Sequence, residues 1–163
     1  MSNITKAKSI LDSFGEFKTA LESLPSRSRL SDGDAEAIYT LGYQSLVQGQ
    51  LQGAFDYFAL LSLYRPTEVK YLKGLARTCR LLEDYEQAIR LYSFLVMIDP
   101  SDMQHNLDIA ECLLMLRSAE EARDLVRLVI QACKESSAPG NAKVGSRAQA
   151  LGGLLGVKDE SDS

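Results

Sequence analysis

The sequence predicts an all-α protein built from tandem pairs of antiparallel helices. Three observations carry that reading. The 163 residues are rich in Leu and Ala, hold no Trp and only four Pro, and are 45% hydrophobic and 25% charged, a balance typical of a soluble globular domain. Small residues recur at a fixed interval along the chain. Outside the recurring part, apolar residues are spaced by threes and fours, as on one face of a helix.

The recurrence is an internal repeat, the first thing to test in any sequence. A shift of 34 residues brings three windows into register, 35–68, 69–102 and 103–136. Position seven of each is Leu41, Leu75 and Ile109. Position eight is Gly42, Ala76 and Ala110, and position 20 is Ala54, Ala88 and Ala122. Position 24 is Phe58, Tyr92 and Val126. Position 32 is Pro66 and Pro100, and the third window has no proline there. Small side chains at positions eight and 20 let two helix axes approach to the usual separation of about 8–10 Å. The large residues at seven and 24 fill the space beside that contact. Proline ends the second helix because it lacks an N–H and restricts its predecessor.

Helix boundaries agree. Ser31-Asp32-Gly33-Asp34 offers N-cap chemistry before the first helix. Gln48-Gly49-Gln50, Leu82-Glu83-Asp84 and Arg117-Ser118 mark the turns inside the repeats, and Pro100-Ser101-Asp102 separates the second repeat from the third, with Ser101 or Asp102 as cap. This is the 34-residue tetratricopeptide pattern. The expected architecture is three such repeats forming a short right-handed solenoid, with flanking N- and C-terminal helices.

The flanks complete the layout. Residues 1–30 hold an amphipathic helix with Ile4, Ala7, Ile10, Leu11, Phe14, Phe17, Leu21 and Leu24 on one stripe, weakened at Gly15 and ended by Pro25. Such a stripe needs cover, and Ile10, Leu11, Phe14, Phe17 and Leu21 are candidates for pairing two copies into a homodimer in the absence of other ligands. Residues 137–163 hold a capping helix from Ala142 to Leu155, interrupted at Gly152 and Gly153, and then a disordered end from Lys158 to Ser163.

Several functions are disfavoured. A net charge of -4 argues against nucleic acid as partner. No apolar run is long enough to enter a membrane, and the first residues, Met1 to Lys6, do not lead into a signal core. Cys79, Cys112 and Cys133 are odd in number and widely spaced, so a reducing cytoplasm fits better than a disulfide framework, and apolar filler better than a reactive thiol. One histidine, His105, excludes a histidine-rich metal cluster, and no cofactor motif is present. Asp102 and His105 lie three apart, as a surface helix pair does, with no nucleophile beside them. No enzyme constellation persuades.

A repeat array carries a built-in binding surface along its first helices. Positions two, five, nine, 12 and 13 should face the groove. They are Glu36, Tyr39, Tyr43, Leu46 and Val47 in the first repeat. In the second they are Lys70, Lys73, Arg77, Arg80 and Leu81, and in the third Gln104, Leu107, Glu111, Leu114 and Met115. The first set is aromatic and aliphatic, with Tyr39 and Tyr43 one turn apart as interface anchors. The second is a basic stripe able to hold backbone carbonyls or acidic side chains. The expected peptide-binding residues are Tyr39, Tyr43, Leu46, Val47, Lys70, Lys73, Arg77, Arg80, Leu107 and Glu111.

Three segments carry a family resemblance: Tyr71-Leu72-Lys73-Gly74-Leu75-Ala76-Arg77-Thr78-Cys79, Tyr85-Glu86-Gln87-Ala88-Ile89 and Ala110-Glu111-Cys112-Leu113-Leu114. With the N-terminal helix, the three repeats and the acidic balance, the chain resembles the class II chaperones of bacterial type III secretion systems over roughly residues 10–135. The resemblance implies a bacterial cytoplasmic chaperone that holds an extended segment of a hydrophobic translocator protein in its groove, with Tyr39 and Tyr43 as groove aromatics, and that keeps the translocator secretion-competent. It also implies homodimers through the N-terminal region. Two other readings stay open. One is a scaffold reading an acidic peptide terminus through Lys70, Lys73, Arg77 and Arg80; the other is a co-chaperone whose groove holds a helix of a needle subunit.

Overall fold

A computed structural model describes residues 15–16, 18–23, 25, 29–138 and 140–157. Every regular element among them is helical. The chain divides into two compact units, one up to Gly74 and one from Leu75 onward.

The first unit holds α1 (Asp32–Val47), α2 (Leu51–Tyr64) and the start of α3 (Val69–Leu81). The expected cap forms: the Ser31 hydroxyl oxygen accepts from the Asp34 N–H at 3.0 Å and donates to the Asp34 carboxylate at 2.6 Å. That satisfies one of the orphan donors at a helix start. Ala54 is fully buried. A Cβ built on Gly42 would stand 3.2 Å from both Phe58 and Tyr57, so a larger residue there would crowd the Phe58 ring. α2 ends where Arg65 turns away. The Arg65 guanidinium donates to the Leu30 carbonyl at 3.0 Å and to Asp32 at 2.6 Å, tying the end of α2 to the start of α1. Residues 15–16 and 18–22 are helical, and the Thr67 hydroxyl donates to Glu22 at 3.3 Å.

The second unit holds the rest of α3, then α4 (Tyr85–Ile98), α5 (Gln104–Met115), α6 (Ala119–Glu135) and α7 (Asn141–Leu155). Ala76, Ala88, Ala110 and Ala122 are all fully buried, as the repeat phase requires. Leu107, Ala110, Val126, Val129, Ile130, Val144 and Ala148 form one apolar cluster joining α5, α6 and α7. Asp84 caps α4 by accepting from the Gln87 N–H at 3.1 Å, and Asp102 accepts from the Gln104 N–H at 3.0 Å before α5.

Position 15 of each repeat adopts the left-handed conformation. Gly49, Glu83 and Arg117 have φ of 74°, 64° and 64°. The same closing bonds follow each time: Gln50 N–H to Ser45 O, Asp84 N–H to Cys79 O and Ser118 N–H to Leu113 O, all at 2.9 Å. This is the Schellman ending of a helix, repeated three times.

α7 is not interrupted at Gly152 and Gly153 but runs through them and begins one residue earlier, at Asn141. Gly152 is a packing residue: a Cβ there would meet Ile130 at 3.2 Å and Val157 at 3.4 Å. The proposed dimerisation residues Ile10, Leu11, Phe14 and Phe17, and the end from Lys158 to Ser163, lie outside the described residues. Leu21 falls in the described helical stretch and is half-buried.

Candidate partner-binding surface

In the first unit the expected anchors split. Tyr39 is half-buried. Its ring lies 5.9 Å from Phe58, edge-on, and 5.7 Å from Tyr71, tilted by 44°. The Lys70 ammonium sits 4.9 Å from the Tyr39 ring centre and 5.3 Å from that of Tyr71, a cation held over two aromatic faces. It also donates to Glu36 at 2.7 Å, and that hydrogen bond raises its pKa. Tyr43, one turn on, is 50% exposed and Val47 71%. Lys73 is exposed as well. Leu46, expected on the groove, is instead buried at 8%, because the last turn of α1 directs it into the interior of the unit.

In the second unit Arg77 is exposed and Arg80 is not a simple groove cation. Arg80 donates to Asp108 at 3.1 Å and to Glu111 at 2.7 Å. Glu111 accepts a second arginine, Arg147 of α7, at 2.8 Å. Arg147 also donates to the Gln104 amide oxygen at 3.0 Å, and the Gln104 amide nitrogen to Asp108 at 3.1 Å. Burial pushes the Asp108 pKa up, outweighing the lowering effect of Arg80 and of the Gln104 hydrogen bond. Leu107 is 1% exposed and belongs to the apolar cluster, so it is core and not a groove pocket. α6 and α7 cover the side of α5 on which it stands. Leu114 is half-buried. Position 13 behaves alike in every repeat: Val47, Leu81 and Met115 are 71%, 46% and 60% exposed.

The remaining groups read as structure. His105 is not a surface residue. It is 1% exposed, its Nε2 lies 3.5 Å from Asp102, and its ring stacks on Tyr92 with centres 6.4 Å apart. Cys79 and Cys112 are buried and their thiols are pushed up to about 11 by burial, which keeps them protonated and unreactive. A cavity of 380 Å³ is bordered by Asp99, Ser101, Asp102, Asn141 and Val144. Among the described residues no three His, Cys, Asp or Glu side chains are grouped to hold a metal, and no helix is long and apolar enough to cross a membrane. The sequence reading missed Phe58 and Tyr71 as the rings beside Tyr39, and Asp108 and Arg147 as partners of Arg80 and Glu111. Arg147 carries no pattern that would mark it, since it lies beyond the repeats.

The family model for the tetratricopeptide repeat matches residues 35–67 and 69–102, the first two windows. The chain is 28% identical to the chaperone protein SicA of Salmonella typhimurium over 109 residues, 67% of this chain and 66% of SicA. The chain thus spans just under two thirds of that relative's length. The chain is similar to chaperones, among them one of type III secretion. Its fold matches PcrH, a protein of Pseudomonas aeruginosa solved in complex with the chaperone binding region of PopB, at 25% identity with a TM-score of 0.67 over 75% of this chain and 97% of PcrH. It also matches SycD of Yersinia enterocolitica, solved with a peptide of the translocator YopD, at 22% identity with a TM-score of 0.69 over 80% of this chain and 98% of SycD.

Proposed function

We propose that this protein is a cytoplasmic chaperone of a bacterial type III secretion system, and that it holds an extended segment of a hydrophobic translocator against the first helices of its repeats. One observation carries the reading. The end of each first helix exposes an apolar side chain at the same repeat position, Val47, Leu81 and Met115, and α1 adds the half-exposed Tyr43. Surface repetition of this kind suits a ligand that is itself extended and apolar at intervals. PcrH and SycD, of like fold, have been crystallised with the chaperone binding region of PopB and with a peptide of the translocator YopD. The N-terminal stripe supports a homodimer of the unliganded chain, and SycD has been crystallised in an alternative dimer.

Lys70 is bonded to Glu36 and Arg80 to Asp108 and Glu111, so an acidic terminus would have to displace a carboxylate to reach either cation. The test is co-expression with a hydrophobic translocator of the same host. The wild-type chain should keep it soluble. The double variant Tyr43→Ala, Val47→Ala should lose it on the order of tenfold, since a central aromatic anchor is worth about 2 kcal/mol, with unchanged circular dichroism. Tyr39→Ala is a poor probe, because that ring is packed against Phe58 and Tyr71. Equal translocator solubility with and without the chain would overturn the reading.

A further inference from the structure

Glu111 stands between two guanidinium groups. One carboxylate oxygen accepts from Arg80 at 2.7 Å and the other from Arg147 at 2.8 Å. The two arginines come from different elements, α3 and α7, and meet only because α7 is docked through Val144 and Ala148 on the apolar cluster. Arg147 lies one turn past Val144 and beside Ala148, so its reach toward α5 is fixed by that packing. The three side chains are 29%, 32% and 47% exposed for Arg80, Glu111 and Arg147. A carboxylate gripped from both sides is a strong charge-assisted arrangement. Here it is also open to solvent, so its occupant can leave. Arg77, one turn before Arg80 on α3, is exposed as well.

We propose that Arg80 and Arg147 form a carboxylate seat, filled at rest by Glu111, which an acidic side chain of a bound partner takes over by exchange. The exchange conserves the charge-assisted bonds of the seat. Both guanidiniums keep an anion throughout, and the displaced Glu111 side chain turns to water from a position already one-third exposed. An apolar or basic residue at this point of the partner gains nothing from the seat and leaves Glu111 in place. The seat thereby adds a requirement for acidity to an otherwise apolar surface, and it draws on a residue outside the repeats. The identity of the partner rests on the function proposed above; the seat does not.

The seat can be tested with glutarate as the probe and no partner at all. Arginine Nε–Hε signals of the full chain are followed by nuclear magnetic resonance during titration at constant ionic strength, with chloride as the control anion. In Glu111→Gln the signals of Arg80 and Arg147 should shift saturably, at glutarate concentrations on the order of tenfold lower than in the wild type. Adding Arg147→Ala should abolish the effect. Asp108→Asn, which leaves Glu111 seated, should titrate like the wild type. Glu111→Ala, read the same way, covers a folding defect peculiar to the glutamine variant. The seat is refuted if the Glu111→Gln signals follow ionic strength alone, or if the double variant binds glutarate as well as the single one. A positive titration beside a failed translocator experiment would keep the seat and discard the partner.

Discussion

The two units solve the same packing problem with different side chains. In the first, position 24 is Phe58, fully buried, and glycine stands wherever a helix passes its ring: Gly42 of α1 and Gly74 of α3. In the second, position 24 of the third repeat is Val126, and the residue facing it at position eight is Ala110, both in one apolar cluster. A larger side chain on one helix is matched by a smaller one on its neighbour. Interiors packed near crystal density leave no other solution. The first unit sets the half-buried Tyr39 against the buried Tyr71 and leaves Tyr43 half-exposed, whereas the second places ion pairs along its first helices. One repeat pattern thus yields an aromatic face and a charged face.

The comparison breaks most sharply at Phe58. Phe58→Ala should cost about 3–5 kcal/mol, the usual range for emptying a fully buried aromatic site. Gly74→Ala should destabilise by a smaller amount. Its Cβ would fall 2.5 Å from the Phe58 ring, which is 1% exposed and has nowhere to swing. Overpacking costs about 1–3 kcal/mol, against the roughly 1 kcal/mol that alanine gains over glycine in a helix. The clash wins. Urea unfolding would check both, and Phe58→Leu should rescue Gly74→Ala. Were Gly74→Ala more stable than the wild type, the size-matching account of the first unit would be wrong.

These elements differ in how far the sequence announces them. The phase of Gly42, Ala54, Ala76, Ala88, Ala110 and Ala122 marks the helix pairs, because close approach of two helices forces small residues at fixed positions. The turns are legible for the same reason. Gly74 is not: nothing in the 34-residue spacing says that a phenylalanine from another helix will lie against it. The groove was legible only as a list of positions. Repeat geometry predicts which side a residue faces, but not that α6 and α7 will cover Leu107 or that Lys70 will lie across Tyr39. The ion pair of Arg147 depends on α7, whose Gly152 and Gly153 suggested an interrupted helix. Tertiary packing overrides that propensity.

The turns offer a smaller test that treats both units alike. Gly49 closes α1 with φ of 74°, a conformation glycine adopts freely, while Glu83 closes α3 with φ of 64° at a cost. Glu83→Gly should therefore stabilise by up to about 1 kcal/mol, an unusual sign for a glycine substitution. Gly49→Glu should lose a similar amount. Thermal melts of the two variants, made side by side, would show opposite shifts of a few degrees.

The smallest effect sharpens the charged face. Asp108 is bonded to Arg80 and Gln104, yet its pKa is raised. Arg80 divides itself between Asp108 and Glu111, and Glu111 repels a second negative charge, so burial dominates. A carboxyl whose pKa is higher in the folded than in the unfolded state binds its proton more tightly when folded. Its stabilising contribution is fully present below the ordinary carboxylate range and is lost as pH rises through the raised value. Asp108→Asn cannot ionise and should flatten that decline. The measurement is the melting temperature of both proteins from about pH 3.5 to pH 7, because the ordinary aspartate value is about 3.9. A steeper loss of stability with rising pH in the wild type than in the variant is the expected result. The opposite slope would mean that the pairing with Arg80 outweighs burial, and that the network on α5 holds a fully ionised aspartate.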